Sequence, residues 1–205
     1  MVVDKAYQEL IEGSDSISSQ ARLKGATGSC SGAWLEATPI VALGTKLEDE
    51  AVRIAVSLRL GCNICVPHTC RCSAEVRSDG LHGLDCERSS GRHARHSELN
   101  TIVHRSLSSI GRPSFLEPCG MTRQDGRRPD RVPLFPWKQG KPLVWDVTCM
   151  STLARSNLQH STISPGGAAA QAEVNKRLKY SDLADYWRLG PFNIAVCQRA
   201  WHPPH

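Results

Sequence analysis

At 205 residues, 40% of them hydrophobic, and with a formal net charge of +5, the chain can build one good core or two small ones. No apolar run approaches a membrane-spanning length, and the start, MVVDKAYQELIEG, lacks the basic-then-apolar pattern of a secretion signal. Nine cysteines, five of them crowded between Cys62 and Cys86 with histidines among them, therefore read as reduced thiols for metal binding rather than as a disulfide framework.

Residues 1–46 carry two helix-like patches and the Ser/Gly-rich stretch GATGSCSGAW, and read as a lead-in or the tail of something larger. LEDEAVRIAVSLRL, from Leu47 to Leu60, predicts an amphipathic helix with acids in its first turn and arginines later, in agreement with the helix dipole. In CRCSAEVRSDGLHGLDC, Cys70 and Cys72 are separated by a polar spacer from His82 and Cys86. Four soft ligands in two local pairs match a closed tetrahedral structural zinc site. The CxC pair is tighter than the usual CxxC, so Cys65 or His68 could replace one of its members.

RSSGRHARH and RRPDR concentrate the basic residues, a distribution that suits a polyanion and equally an ordinary solvated surface. Arg92, His93, Arg95, His96, Arg127 and Arg128 are the candidate phosphate contacts. His93 and His96 could instead bind a metal, as in a histidine-metal nuclease. The following SELNTIVHRSLSSIG predicts a helix with Ser97 as N-cap and Gly111 as stop.

After a short strand-like SFLEPCG, RVPLFPWKQGKPLVWDVTC predicts a hairpin: Arg131 to Trp137 and Pro142 to Cys149 as strands, joined at Lys138-Gln139-Gly140-Lys141. Along the second strand Val144, Asp146 and Thr148 share one face, and Trp145, Val147 and Cys149 the other. An acid between Trp and Val is costly to bury unless it binds something. A Ser/Pro/Gly loop ends at SPGG, a helix follows from about Ala168 to Trp187, and FNIAVCQ reads as a last strand. On that helix Ala169, Ala172, Lys176, Tyr180, Leu183 and Trp187 form one stripe, with Lys179 at its edge. A lysine inside such a stripe either snorkels to solvent or meets an acid on the sheet beneath.

The second alternative brings Lys176 to Asp130 and Asp146. Two carboxylates at a strand start and mid-strand suit a hard divalent cation, and a neighbouring lysine suits a phosphate or its attacking water. This is the logic of a metal-dependent phosphodiesterase.

These residues resemble the restriction-like endonuclease region at the C-terminus of non-LTR retrotransposon polyproteins, a variant of the PD-(D/E)xK nucleases. The resemblance rests on CRC…HGLDC, RHSELN, Arg128-Pro129-Asp130, Asp146-Val147-Thr148 and Lys176-Arg177-Leu178-Lys179-Tyr180. With SGAWLEATP, LRLG and AAAQAE it runs from about Ser31 to Val196.

It implies an α+β chain in three parts: a helical lead-in (1–60), a zinc knuckle (61–96), and a restriction-endonuclease-like core (97–205) of helix, three strands, helix and strand. It also implies Asp130 and Asp146 as Mg²⁺ ligands, and Lys176 in place of the lysine that ordinary members carry where Thr148 stands. Lys179 and Tyr180 would support Lys176 or touch DNA, and Glu98 or Glu117 could add a third carboxylate.

The expected activity is nicking of target DNA by a retrotransposon fragment, intracellular and nuclear, with DNA and also RNA as candidate partners and no membrane. The chain begins only a short way upstream of the resemblance, with no reverse transcriptase ahead of it. After FNIAV it reads CQRAWHPPH where the family has a Glu-Thr-Gly-like stretch. The alternative is therefore an inactive zinc-containing nucleic-acid-binding remnant.

Overall fold

Acids at the start and glycine at the stop of DEAVRIAVSLRL shape the helix that leads into the cysteine-rich segment, and Gly61, at φ +78°, takes the left-handed capping conformation. In the computed structural model, which describes residues 2–89, 91–118, 120–122, 125–126, 128–133, 135–138, 141–181 and 190–197, this helix is α4 (Asp49–Leu60). Before it come α1 (Val2–Glu12), α2 (Ile17–Ala26) and α3 (Ala33–Glu36). After it come β1 (His68–Thr69), β2 (Glu75–Val76), α5 (His82–Asp85), α6 (Gly91–Ser109), β3 (Ser114–Leu116), β4 (Arg131–Pro133), β5 (Pro136–Lys138) and β6 (Lys141–Met150). The last described elements are α7 (Leu158–Ile163), α8 (Gly167–Lys179) and β7 (Gly190–Cys197). The architecture is α+β, helices with small antiparallel sheets. Among the described residues no helix is long and apolar enough to cross a membrane.

The chain divides into two compact units. The first comprises Met1–Arg92, Met150–Ala169 and Cys197–His205. In it α2 packs on α7 through small buried residues, Ala21, Ala26 and Ser161, and the Ser161 hydroxyl donates to the Thr152 carbonyl at 2.8 Å. The sequence reads residues 158–163 as loop, because LQHSTI has no apolar period. Packing against α2 makes it helical.

The second unit, His93–Cys149 with Ala170–Val196, holds a five-stranded sheet. Its strand order is β3-β4-β6-β5, and β7 also pairs with β6. Opposed positions include Phe115 with Val132, Arg131 with Trp145, and Pro136 with Pro142. β6 is central, and Leu143, Val144, Trp145, Asp146 and Val147 are all at most 8% exposed, so both of its faces are covered. The expected first hairpin strand is two strands, β4 and β5. Pro133 and Pro136 have no N–H to donate to a continuous ladder. Four strands, not three, therefore precede α8. α6 starts at Gly91, so Ser97 lies inside the helix and is not its cap. Leu183 and Trp187 lie outside the described residues.

Candidate metal centres

The first candidate centre is built by a hairpin and a short helix. β1 pairs with β2, and the loop between them closes with Cys70 N–H donating to Ala74 O (2.9 Å) and Ser73 N–H to Cys70 O (2.8 Å). Ser73 takes φ +70°, a left-handed conformation that lets Cys70 and Cys72 face one point. On the other side α5 carries His82, and the Cys86 N–H donates to His82 O at 2.8 Å, which fixes Cys86 one turn later. Gly80 (φ +63°) makes the approach possible: a Cβ there would run into Ile64.

The ligand atoms of Cys70, Cys72, His82 and Cys86 all lie within 4.8 Å of one another and could hold a metal ion such as zinc. Cys70 Sγ is 3.8 Å from Cys86 Sγ, and a tetrahedral site with Zn–S bonds near 2.3 Å has S–S edges of about 3.8 Å. Cys72 Sγ is 3.2 Å from His82 Nε2, a few tenths tighter than a mixed edge. The Cys72 backbone amide and then His82 lower the Cys70 thiol to about 6, so it is a ready thiolate at neutral pH. Burial pushes Cys86 up. Cys65 and His68 stay outside this set: Cys65 Sγ donates to Arg77 O (3.3 Å), and His68 Nδ1 lies 2.8 Å from Val66 O.

The second centre lies in the sheet unit. Asp130 stands just before β4, its N–H donating to Trp145 O (3.1 Å) and its carbonyl accepting from Glu117 N–H (2.7 Å). Its Oδ2 meets three donors: Val147 N–H at 2.7 Å, Asn100 Nδ2 at 3.1 Å and His96 Nε2 at 3.1 Å. Burial raises the Asp130 carboxyl, but His96, Val147 N–H and Asn100 outweigh it, and the net shift is downward. Asp146, on β6, is paired through Oδ2 with the Lys176 ammonium from α8. Here burial dominates over Lys176 and, with help from the Asp130 charge, holds Asp146 above the usual carboxylate range.

The hydrogen bond to Asp130 raises His96 above 6.5, against the opposing effect of burial. A histidine raised in the fold stabilises fully below its unfolded pKa and loses that contribution as pH rises through the folded value. In a proton NMR titration of the metal-free protein, His96 should therefore titrate above 6.5. Asp130→Asn should bring the midpoint back toward that value and flatten the accompanying fall in stability. A His96 midpoint unchanged by the substitution would contradict the pairing.

The remaining candidates are spread more widely. Lys179 Nζ reaches the Tyr180 hydroxyl at 2.9 Å and lies 4.5 Å from its ring centroid, while Tyr180 donates to Arg128 O at 3.2 Å, bracing the Arg128-Pro129-Asp130 corner. Lys176 and Lys179 are both half-buried. Arg128 is ion-paired with Glu117, which takes φ +45°, so Glu117 meets a guanidinium on the surface. Glu98 is half-buried on α6, and the buried Thr148 hydroxyl has no partner among the described residues. His93 is exposed, but Arg95 is only 4% exposed and cannot serve as a surface phosphate contact. The helix period turns Arg95 inward while its neighbours His93 and Ala94 face out. Arg127 and the Arg92 side chain lie outside the described residues. RHSELN takes in Asn100 as part of the resemblance but gives it no role, and the Trp145 indole has none either, although Asn100 sits four residues after His96 and so on the same helix face. The chain matches no family model and no curated protein.

Proposed function

We propose that the sheet unit is a Mg²⁺-dependent DNA endonuclease that nicks target DNA for a retrotransposon, as the resemblance to restriction-like endonucleases implies. In this reading the Cys/His cluster holds a structural zinc ion. The observation that carries it is the pair of carboxylates, half-buried Asp130 and buried Asp146, each with one oxygen engaged by protein donors. Among the described residues Oδ1 of each meets no donor and is left for a hard cation, which suits Mg²⁺. A divalent ion bound there supplies charge neutralisation at the phosphodiester and acidifies the attacking water.

The chain's own residues do the rest. Asp130 remains an anion because three donors hold Oδ2. Lys176, with its ammonium held by Asp146, has further N–H groups to orient a water or a phosphate oxygen. Lys179 and Tyr180 brace the corner that presents Asp130. The net charge of +5 favours a polyanionic partner, DNA first and RNA second, and a nuclear site of action follows from a DNA substrate.

The test is plasmid nicking by the zinc-loaded protein with and without Mg²⁺, beside Asp130→Asn. Nicking that needs Mg²⁺ and is lost in the variant is the expected result. Salt-sensitive DNA binding without nicking would instead identify the inactive binding remnant.

A further inference from the structure

We propose that Asn100 is a positioning residue that locks the Asp130 carboxylate in place, through a hydrogen-bond chain that starts at the buried indole of Trp145. The inference rests on the reading of Asp130 as a cation ligand but assigns a function to residues outside it.

The chain has one self-consistent polarity. Trp145 is 1% exposed, and its Nε1–H, which can only donate, meets Asn100 Oδ1 at 3.0 Å. That donor fixes the orientation of the Asn100 amide, so Nδ2 must face the other way, toward Asp130 Oδ2 at 3.1 Å. The second Nδ2 hydrogen faces His96 Nδ1 at 3.5 Å, which places a lone pair on Nδ1. The neutral His96 then carries its proton on Nε2, 3.1 Å from the same Asp130 oxygen. One donor-only group on β6 thus sets an amide, a tautomer and a carboxylate rotamer.

Asn100 is an unfavourable choice for the interior of a helix, and at 5% exposure its amide would be costly to bury without partners. Among the described residues its side-chain amide meets Trp145, His96 and Asp130. The result is directional: three donors saturate Oδ2, which leaves Oδ1 as the oxygen free to meet a cation.

Mn²⁺ affinity of the zinc-loaded chain, measured by electron paramagnetic resonance without substrate, tests this apart from turnover. Asn100→Ala should weaken Mn²⁺ binding by roughly 10–100-fold, the usual effect of removing a group that orients a metal ligand. Trp145→Phe keeps an aromatic ring in the core and removes the indole N–H together with the part of the ring that carries it. It should weaken binding in the same direction, and the double variant should be no worse than Asn100→Ala alone, because both act through one chain. Asp130→Asn sets the reference for complete loss.

Wild-type affinity in both single variants, or a double variant that loses the product of the single effects, would overturn the proposal. If Asn100→Ala fails to fold, Trp145→Phe decides alone. Should Asp130→Asn itself bind Mn²⁺ as well as wild type, the cation reading falls and this inference falls with it. Loss in Asp130→Asn with none in the other two removes only the positioning role.

Discussion

Replacing Lys176 with methionine should destabilise the sheet unit by about 3–5 kcal/mol at neutral pH, the usual consequence of stranding one member of a buried ion pair. The Asp146 side chain is 7% exposed and that of Lys176 22%, so water cannot substitute for the lost ammonium. Methionine keeps the length and apolar stem, which isolates the charge from the packing.

The pH dependence has a definite sign. Asp146 already lies above the usual carboxylate range, because burial outweighs Lys176. An acid raised in the fold makes the fold less stable as pH climbs from its unfolded pKa to its folded one. Lys176→Met should raise Asp146 further and widen that window. The penalty in urea titrations should therefore shrink as pH falls and the raised Asp146 carboxyl takes up its proton in the folded state. Asp146→Asn combined with Lys176→Met, a neutral pair of similar volume, should recover most of the loss. A single variant as stable as wild type at neutral pH would mean that the ammonium leaves the sheet in solution.

What the sequence made legible was what local spacing or period encodes. Two cysteines one residue apart and a His/Cys pair one turn apart predict a four-ligand cluster, because each pair is closed by its own hairpin or helical turn. The Lys176 stripe was legible for the same reason: one helix face at 100° per residue can place an ammonium over a strand. Arg95 shows the limit. Its charge counts toward a basic cluster, but only the fold shows which of the residues in GRHARH turn inward. Asn100 was less visible still. A single amide in a helix carries no periodic signal, and its partners lie 30 and 45 positions away. Residues 158–163 likewise become helical only because α2 is there to pack against.

The cluster in the first unit should give the larger effect. Cys86→Ser, or chelation of the wild type, should unfold the β1–β2 hairpin and α5, since metal binding in small sites of this type supplies about 10–16 kcal/mol near neutral pH. Among the described residues the segment has little else to hold it: β1 and β2 are two residues each, α5 is four, and Val76 and Cys86 are its buried hydrophobic residues. Metal analysis should find about one zinc per wild-type chain and a sub-stoichiometric amount in Cys86→Ser.

Cys65→Ser is the informative control. Cys65 lies twelve residues from Arg77, whose carbonyl it meets, and is outside the cluster, so zinc should be retained. Affinity should also rise with pH above neutrality. Cys70, lowered to about 6, is already a thiolate there, whereas Cys86, raised by burial, must still lose its proton to bind. A chain in which Cys65→Ser released zinc as fully as Cys86→Ser would place the ion on a different set of thiols. One whose zinc affinity did not change with pH would mean that Cys86 is not a ligand.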